Sequence, residues 1–391
     1  MIKDSKAFGR TRSGRGGEHA AVVTTARLRK MREARGLGAT EIARRVGVSR
    51  QTIYAIESGD YIPNTAVALQ LACVLEVSVE DLFSLSASSE QKQTHIRAEL
   101  IAASNHDYSA GELVRLGRVG SRTIAVPTPH FPTFLSDADG VIATRGKART
   151  TIHAVADSAA KANSLVLAGC DPALSVLAGE LKSAESEVIT VPCSSQEALN
   201  WLKEGLVHVA GTHLRDRATG EYNVPAVTAL FGKGNIRIVT FAQWEQGLVV
   251  QRGNPKRIRS VADLGEKKIT IVNREKGSGA RGLLDSNLRD AGIRSRNLTG
   301  YDRIVPSHLA AALAVASSQV DCCVATVSAA RSLGLDFVPL SRERFDLIIA
   351  SSEMDTAGIR ALLDVLNRAS LRRKLAMLAG YEVKHTGEML M

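Results

Sequence analysis

The spacing of apolar positions changes character twice along this chain. Residues 1–22 are rich in Gly, Ser, Arg and Lys, with almost no apolar repeat, and read as a disordered arm. From Thr24 a helical period sets in. Leu28 and Met31 lie on one face of a basic helix over 24–35, which Gly36 stops. A second helix over 39–45 turns Ile42 and Ala43 inward and ends at Gly47. Ser49 caps a third helix over 50–58, with Ile53 and Ile56 inside and Gly59 as a left-handed stop. Asn64 caps a fourth, carrying Val67, Leu71, Ala72 and Leu75. Ser78 and Asp81 form a capping-box variant for a last turn ending at Phe83. This predicts an all-α bundle over 23–84.

The next stretch has a different pattern. Residues 84–95 are polar and Ser-rich, and read as a linker. Within a connector over 85–160 we expect a helix at 95–103, a hairpin of 113–119 with 123–126 around Gly120 and Ser121, and a strand at 140–143. From Asn163 apolar runs alternate with helical periods. The strand at 165–168 runs into Asp171 and Pro172, read as the N-cap and first position of a helix to 181. Further strand-helix pairs continue to the last residues. The expected fold is a helix-turn-helix domain, a small β-rich connector and a two-lobed α/β domain over 161–391. One lobe takes 161–243 and 351–391, the other 247–345, with crossings near 243–250 and 341–350.

Composition adds three constraints. No run of 18 apolar residues exists, and the basic first residues lack an apolar signal core, so a cytoplasmic protein without a membrane span is expected. The five cysteines, Cys73, Cys170, Cys193, Cys322 and Cys323, are scattered and read as reduced thiols. No Cys/His set has zinc spacing, so no metal is expected. The net charge is +10, and residues 1–35 hold ten Lys or Arg against three acids, which suggests contact with a polyanion.

Two short helices joined by a Gly-containing turn are the helix-turn-helix pattern. The text EIARRVGVSRQTIYAIESGDYIPNTAVALQLACVLEVSVEDLF closely resembles the Cro/C1-type (XRE) DNA-binding domain. Ala43, Gly47, Val48, Ser49, Ile53, Glu57, Gly59 and Pro63 carry the match. The resemblance implies a third helix in the major groove, with Ser49, Arg50, Gln51, Thr52 and Tyr54 near bases or backbone. Many relatives clamp a phosphate with Gln at the start of the second helix; here that residue is Ala39, and Thr40, Arg44 or Arg45 would have to replace it. The partner implied is a pseudo-palindromic double-stranded operator, bound by a homodimer.

Residues 269–281, ITIVNREKGSGAR, read as a buried strand, a Gly-Ser-Gly loop and a helix opening with Arg281. Free N–H groups and the positive helix end suit an anion. The loop is not a Walker motif, because Lys276 precedes the glycines. With AGCDPALSVLAGEL, AGTHLRDRATGEYN, QGLVVQRGNP, SHLAAALAVASSQVD and GLDFVPLSRERFDLII, the stretch 110–380 resembles the type II periplasmic-binding-protein fold, and more closely the molybdate-binding-protein-like domain attached to helix-turn-helix regulators. That resemblance implies two lobes closing on a ligand. Asp171, Thr212, His213, Asn273, Arg274, Ser278, Gly279, Arg281 and His308 would line the cleft. Cys322 and Cys323 replace a small residue usual in this block and are expected to reshape the cleft wall.

The function expected is a ligand-responsive transcription regulator, written here as a repressor. It takes no cofactor, and molybdate or tungstate is the effector implied. An organic anion is the alternative effector, and a dimerisation scaffold without ligand is the alternative role. No nucleophile-elbow Gly-x-Ser-x-Gly stands on a strand-to-helix turn here, so an enzyme is not expected.

Overall fold

The computed structural model describes residues 22–23, 25–85, 94–102, 108–128, 135–146, 149–154, 164–184, 186–232, 234–266 and 268–391. The basic arm expected over 1–22, apart from Val22, and most of the polar linker lie outside the described residues. The chain divides into two compact units, Met1–Lys92 and Gln93–Met391.

The first unit holds α1 (Thr25–Ala34), α2 (Ala39–Val46), α3 (Arg50–Ser58), α4 (Thr65–Leu75) and α5 (Val79–Leu82). A short antiparallel pair, β1 (Val22–Val23) with β2 (Ser84–Leu85), joins its two ends. The caps are those the residue types demand. Ser49 Oγ accepts the Thr52 N–H at 3.0 Å, Asn64 Oδ1 accepts that of Val67, and Ser78 and Asp81 complete a reciprocal capping box. Leu28, Ile42, Ile53, Ile56, Leu71, Leu75 and Leu82 make the core. One feature carries no local sequence signal. Arg32 of α1 donates to Glu57 of α3 at 2.6 Å, and its Nη1 donates to the Leu37 carbonyl. Both side chains are nearly buried.

The second unit begins with a closed barrel: β3 (Thr94–Leu100), β4 (Leu113–Val119), β5 (Arg122–Pro127), β6 (Gly140–Thr144) and β7 (Thr150–Ala154), in the order β3-β5-β4-β6-β7. The helix expected at 95–103 is therefore corrected to a strand. Its side chains alternate: Ile96, Ala98 and Leu100 join the barrel core, while His95 and Arg97 are exposed. Pairing with β7 and β5 overrides a weak local preference. Closure also leaves this small sheet without a free edge. Ile101, Val119, Ile124 and Val126 share a core with Val166 and Ile189 of the α/β region, so the barrel is built onto one lobe.

That region has β8 (Leu165–Gly169), β9 (Val188–Pro192), β10 (Val209–Thr212), β11 (Ile236–Val250), β12 (Ile271–Arg274), β13 (Ile304–Val305), β14 (Cys322–Thr326) and β15 (Asp336–Ala350). Between them run α6 (Leu174–Lys182), α7 (Ser195–Glu204), α8 (Val224–Phe231), α9 (Asp263–Glu266), α10 (Gly279–Asp290), α11 (His308–Ala316), α12 (Val327–Ser332), α13 (Ala357–Leu366) and α14 (Ala369–Ala376). One sheet of order β13-β12-β14-β11-β15-β10-β8-β9 spans both lobes. The crossings near 243 and 341 are not breaks. β11 and β15 are 15-residue strands paired antiparallel, with register shifts at Thr240/Ala242 and Gln246/Gly247. The bulges bend the ribbon where lobes meet and re-aim Trp244 and Glu343. α8, whose apolar run VPAVTALF has no clear period, was not expected. Neither was the C-terminal strap: it bridges Val239 to Met389 and Gln243 to Glu382, and Thr386 donates to the Phe241 carbonyl at 2.7 Å.

Cys322 and Cys323 are corrected as well. They sit inside β14, and successive residues of a strand face opposite sides. Cys322 enters the core with Leu248 and Ile271, and Cys323 the core with Val249 and Ala312. Burial pushes both thiols up, so they are packing residues and not part of a cleft wall.

Candidate functional site

Four stretches at strand ends build the interlobe site. After β8 the chain runs through Cys170 and Asp171, both buried. Asp171 is not the helix N-cap expected: α6 starts at Leu174, and Asp171 Oδ1 instead accepts the Ala173 N–H at 2.8 Å and the hydroxyl of Tyr381. Its second oxygen, Oδ2, is buried and has no hydrogen-bond partner. Burial raises this carboxyl to about 6, against the opposing hydrogen bonds from Tyr381 and Ala173.

His213 follows β10 and lies at the centre. Its Nδ1 donates to Glu343 Oε2 at 2.6 Å, and its Nε2 lies 3.2 Å from Cys170 Sγ. Gln246, with its amide nitrogen turned inward, donates to both Glu343 oxygens. Burial by itself would lower the His213 pKa. The Cys170 sulfur and the Glu343 carboxylate outweigh it and hold the ring up at about 10. The neighbouring Trp244 ring is 4.9 Å away.

From the second lobe, α11 presents His308, capped by Ser307. The His308 ring lies 5.7 Å from Trp244 and 6.1 Å from His213. Neither of its nitrogens has a partner, and burial with the positive charges of Arg274 and His213 keeps it neutral. Arg274, at the end of β12, bonds Glu275 through Nε and Nη2 at 2.9 and 2.7 Å, leaving Nη1 buried and unpartnered. Trp244 Nε1 makes no full hydrogen bond either, although the indole helps to hold the Asp171 carboxyl down.

The remaining expected cleft residues stand behind this cluster. Thr212 donates to Asn223 Oδ1, and Asn223 in turn donates to Asp346. Asn273 donates to the Tyr301 carbonyl and accepts the Arg274 N–H. Ser278 Oγ donates to the Glu275 carbonyl and caps α10 by accepting the Arg281 N–H. Arg281 is committed to Tyr301, Asp285 and the Arg274 carbonyl, with its guanidinium 4.0 Å over the Tyr301 ring. It braces the Arg274 loop and does not face the cleft. Gly279 has another role: a Cβ there would overlap the His213 ring. Next to it the Gln196 N–H of α7 donates to the Gly277 carbonyl at 3.3 Å, so the two lobes touch directly. Cys170, Trp244, Gln246, Glu275, Glu343 and Tyr381 were not expected. They come from five separate stretches, and only the fold brings them together.

In the first unit, Thr40, Arg44, Arg45, Ser49, Arg50, Gln51 and Tyr54 are exposed and Thr52 half-buried. Arg44 and Arg45 both bond Glu41, at 2.9 and 2.7 Å. Ser49 and Thr52 are tied to each other as the α3 cap. Arg50 donates to the Tyr54 hydroxyl at 3.0 Å and lies over its ring. Gln51 presents its amide at the start of α3, on the exposed side.

Residues 28–82 match the helix-turn-helix family model, and residues 178–367 that of the PBP superfamily domain. The chain is 33% identical over 228 residues to the protein YvgK of Bacillus subtilis (strain 168), covering 58% of this chain and 73% of that one. It is 44% identical over 59 residues to an HTH-type transcriptional regulator of Methanothermobacter thermautotrophicus (strain Delta H), covering 15% of this chain and 86% of the regulator. Among solved structures, PhnD1 from Prochlorococcus marinus (MIT 9301) in complex with methylphosphonate overlays with a TM-score of 0.40 at 15% identity, covering 56% of this chain and 92% of that one. Among the described residues no helix is long and apolar enough to cross a membrane. The chain thus belongs to the family of YvgK, a PBP superfamily domain carried here behind an N-terminal helix-turn-helix domain.

Proposed function

We propose that this protein is a cytoplasmic transcription regulator that reads a double-stranded operator with α3, as a homodimer. Its interlobe cleft would sense a small anion. The observation that carries the ligand reading is a set of orphaned polar atoms. Arg274 Nη1, Trp244 Nε1 and the single N–H of neutral His308 are buried donors without hydrogen-bond partners, and the second His308 nitrogen is a bare acceptor. Buried polar groups are nearly always paired, so such a set marks where a ligand's acceptors go. An anion would also drive a proton onto Asp171, already raised to about 6, turning its bare oxygen into a further donor. Molybdate or tungstate is the effector that the resemblance favours, and a carboxylate or phosphorylated metabolite is the alternative. We read the cleft as binding its ligand without transforming it. The one hydroxyl on its glycine loop, Ser278, is spent on the Glu275 carbonyl and the helix cap.

Calorimetric titration of the full chain with molybdate, tungstate, phosphate, sulfate and a set of carboxylates tests this. At least one should bind, and Arg274→Ala should weaken it about 10- to 100-fold, the value of one or two charge-assisted hydrogen bonds. No heat from any anion, with operator affinity indifferent to all of them, would leave the domain a scaffold and sink the reading.

At the DNA end, Gln51 is the side chain poised for a base edge, since Arg50 is held on Tyr54. Gln51→Ala should cost about 1–3 kcal/mol on the preferred operator and much less on non-specific DNA. Equal losses on both, measured by anisotropy at fixed salt, would reassign Gln51 to the phosphate backbone.

A further inference from the structure

Cys170, His213 and His308 each turn a ligand-type atom into one small space. The three atoms lie within 4.8 Å of one another, and all three side chains are buried. From them we infer that the cleft holds a transition-metal ion of the thiolate- and imidazole-binding class, Zn(II) or Cu(I), on Cys170 Sγ, His213 Nε2 and a ring nitrogen of His308.

Four observations argue for it. The donor set is one thiolate and two imidazoles, the chemistry these two ions select over harder cations. The Cys170–His213 separation of 3.2 Å is close to the spacing of two donors on one ion with bonds of about 2.0–2.3 Å. His213 is oriented as metal-bound histidines are: its Nδ1 is held by a carboxylate, Glu343, which Gln246 fixes from behind. This leaves Nε2 as the atom aimed at the cluster. His308, fully buried, offers two nitrogens without any protein partner. Such a ring has no structural use for its polar atoms, whereas a metal would satisfy one and leave the other to donate.

The ligands come from both lobes: Cys170 and His213 from one, His308 from the other. Binding releases to solvent the proton held between Cys170 Sγ and His213 Nε2 and ties the lobes together, so the ion would stabilise the closed form. Three protein ligands leave a fourth position open for a water or an added ligand. The inference does not depend on the anion reading, because Arg274→Ala should impair anion binding and spare the metal.

The test uses the full chain, stripped with chelator under reducing conditions, in a Cys73→Ser background that removes the exposed thiol. Co(II), as a spectroscopic stand-in for Zn(II), should give a sulfur-to-metal charge-transfer band that saturates at one ion per chain. Competition with chromophoric chelators then ranks Zn(II) against Cu(I). Cys170→Ser should abolish the band, and His308→Ala should cut affinity about 100-fold or more. Glu343→Gln should cost about 10- to 100-fold, as expected of a group that orients a ligand. Arg274→Ala should retain the band, which shows that a variant in the same cleft keeps the site folded. A band that survives Cys170→Ser, or no band in the parent at pH 7–8, would overturn the inference.

Discussion

Glu57→Ala should unfold the helix-turn-helix unit at a markedly lower temperature, although Glu57 is buried on the inner side of α3. The substitution takes the close carboxylate from Arg32, about one-tenth exposed, and leaves it one bond to the Leu37 carbonyl and a 3.7 Å pairing with the exposed Glu33. Breaking a buried pair by removing one member costs about 3–5 kcal/mol, because the survivor stays desolvated and uncompensated. A domain of this size is stable by roughly 5–15 kcal/mol in total, and each kcal/mol moves its melting point by about 4–8 °C. The lowest-temperature transition of the full chain should therefore fall by roughly 15 °C or more, and operator binding should fade with it. Replacing both members by apolar residues, Arg32→Met with Glu57→Leu, should recover most of the loss. A drop under about 3 °C for Glu57→Ala would show the pair to be solvated in solution.

The same pair marks where local reading of the sequence stops working. The helices of the first unit were legible because each has its own start and stop: Ser49, Asn64 and Ser78 cap, and Gly47 and Gly59 close with positive φ. Arg32 and Glu57 are 25 residues apart, and nothing near either says that they meet. The barrel shows the converse failure. The stretch containing Ile96, Arg97, Ala98 and Glu99 suits a helix locally, but its neighbours in space are β5 and β7.

In the α/β domain the buried strand, the glycine loop and the helix that Arg281 opens were readable, since a strand-loop-helix unit is local. What Arg281 does was not. Its guanidinium pairs with Asp285 one turn on and turns back onto Tyr301, 20 residues away and invisible to a motif. Absence of zinc spacing was likewise a local statement. Cys170 and His213 follow two strands and His308 opens α11, and their sequence separations carry no signature, yet the sheet order brings β8 and β10 together and lobe contact adds α11. Glu343 and Trp244 were legible only as members of the two interlobe crossings. Their placement depends on the register of β11 against β15, which pairs these two residues across the ribbon.

Gly279→Ala should disable ligand sensing while leaving the C-terminal unit folded. Gly279 opens α10 from the second lobe and lies against the His213 ring of the first, where an added methyl overlaps three ring atoms. The ring has nowhere to go. Glu343 and Cys170 hold its two nitrogens, and Trp244 and Phe345 pack beside it. Ala is itself well suited to the first turn of a helix, so the second lobe loses no local stability. The cost falls on the closed arrangement alone. If closure becomes less favourable by about 3 kcal/mol, the competent fraction falls, and apparent affinity drops by roughly 100-fold or more. Three readouts should move together: weaker binding of any anion that the parent binds, a larger radius of gyration by small-angle scattering in its presence, and loss of its effect on operator affinity. The melting transition of the ligand-free unit should shift by less than about 1 kcal/mol equivalent, because open lobes keep their own cores. Unchanged anion affinity in a folded Gly279→Ala variant would mean that binding does not require the His213–Gly279 contact, and that closure of these lobes is not what couples the cleft to DNA.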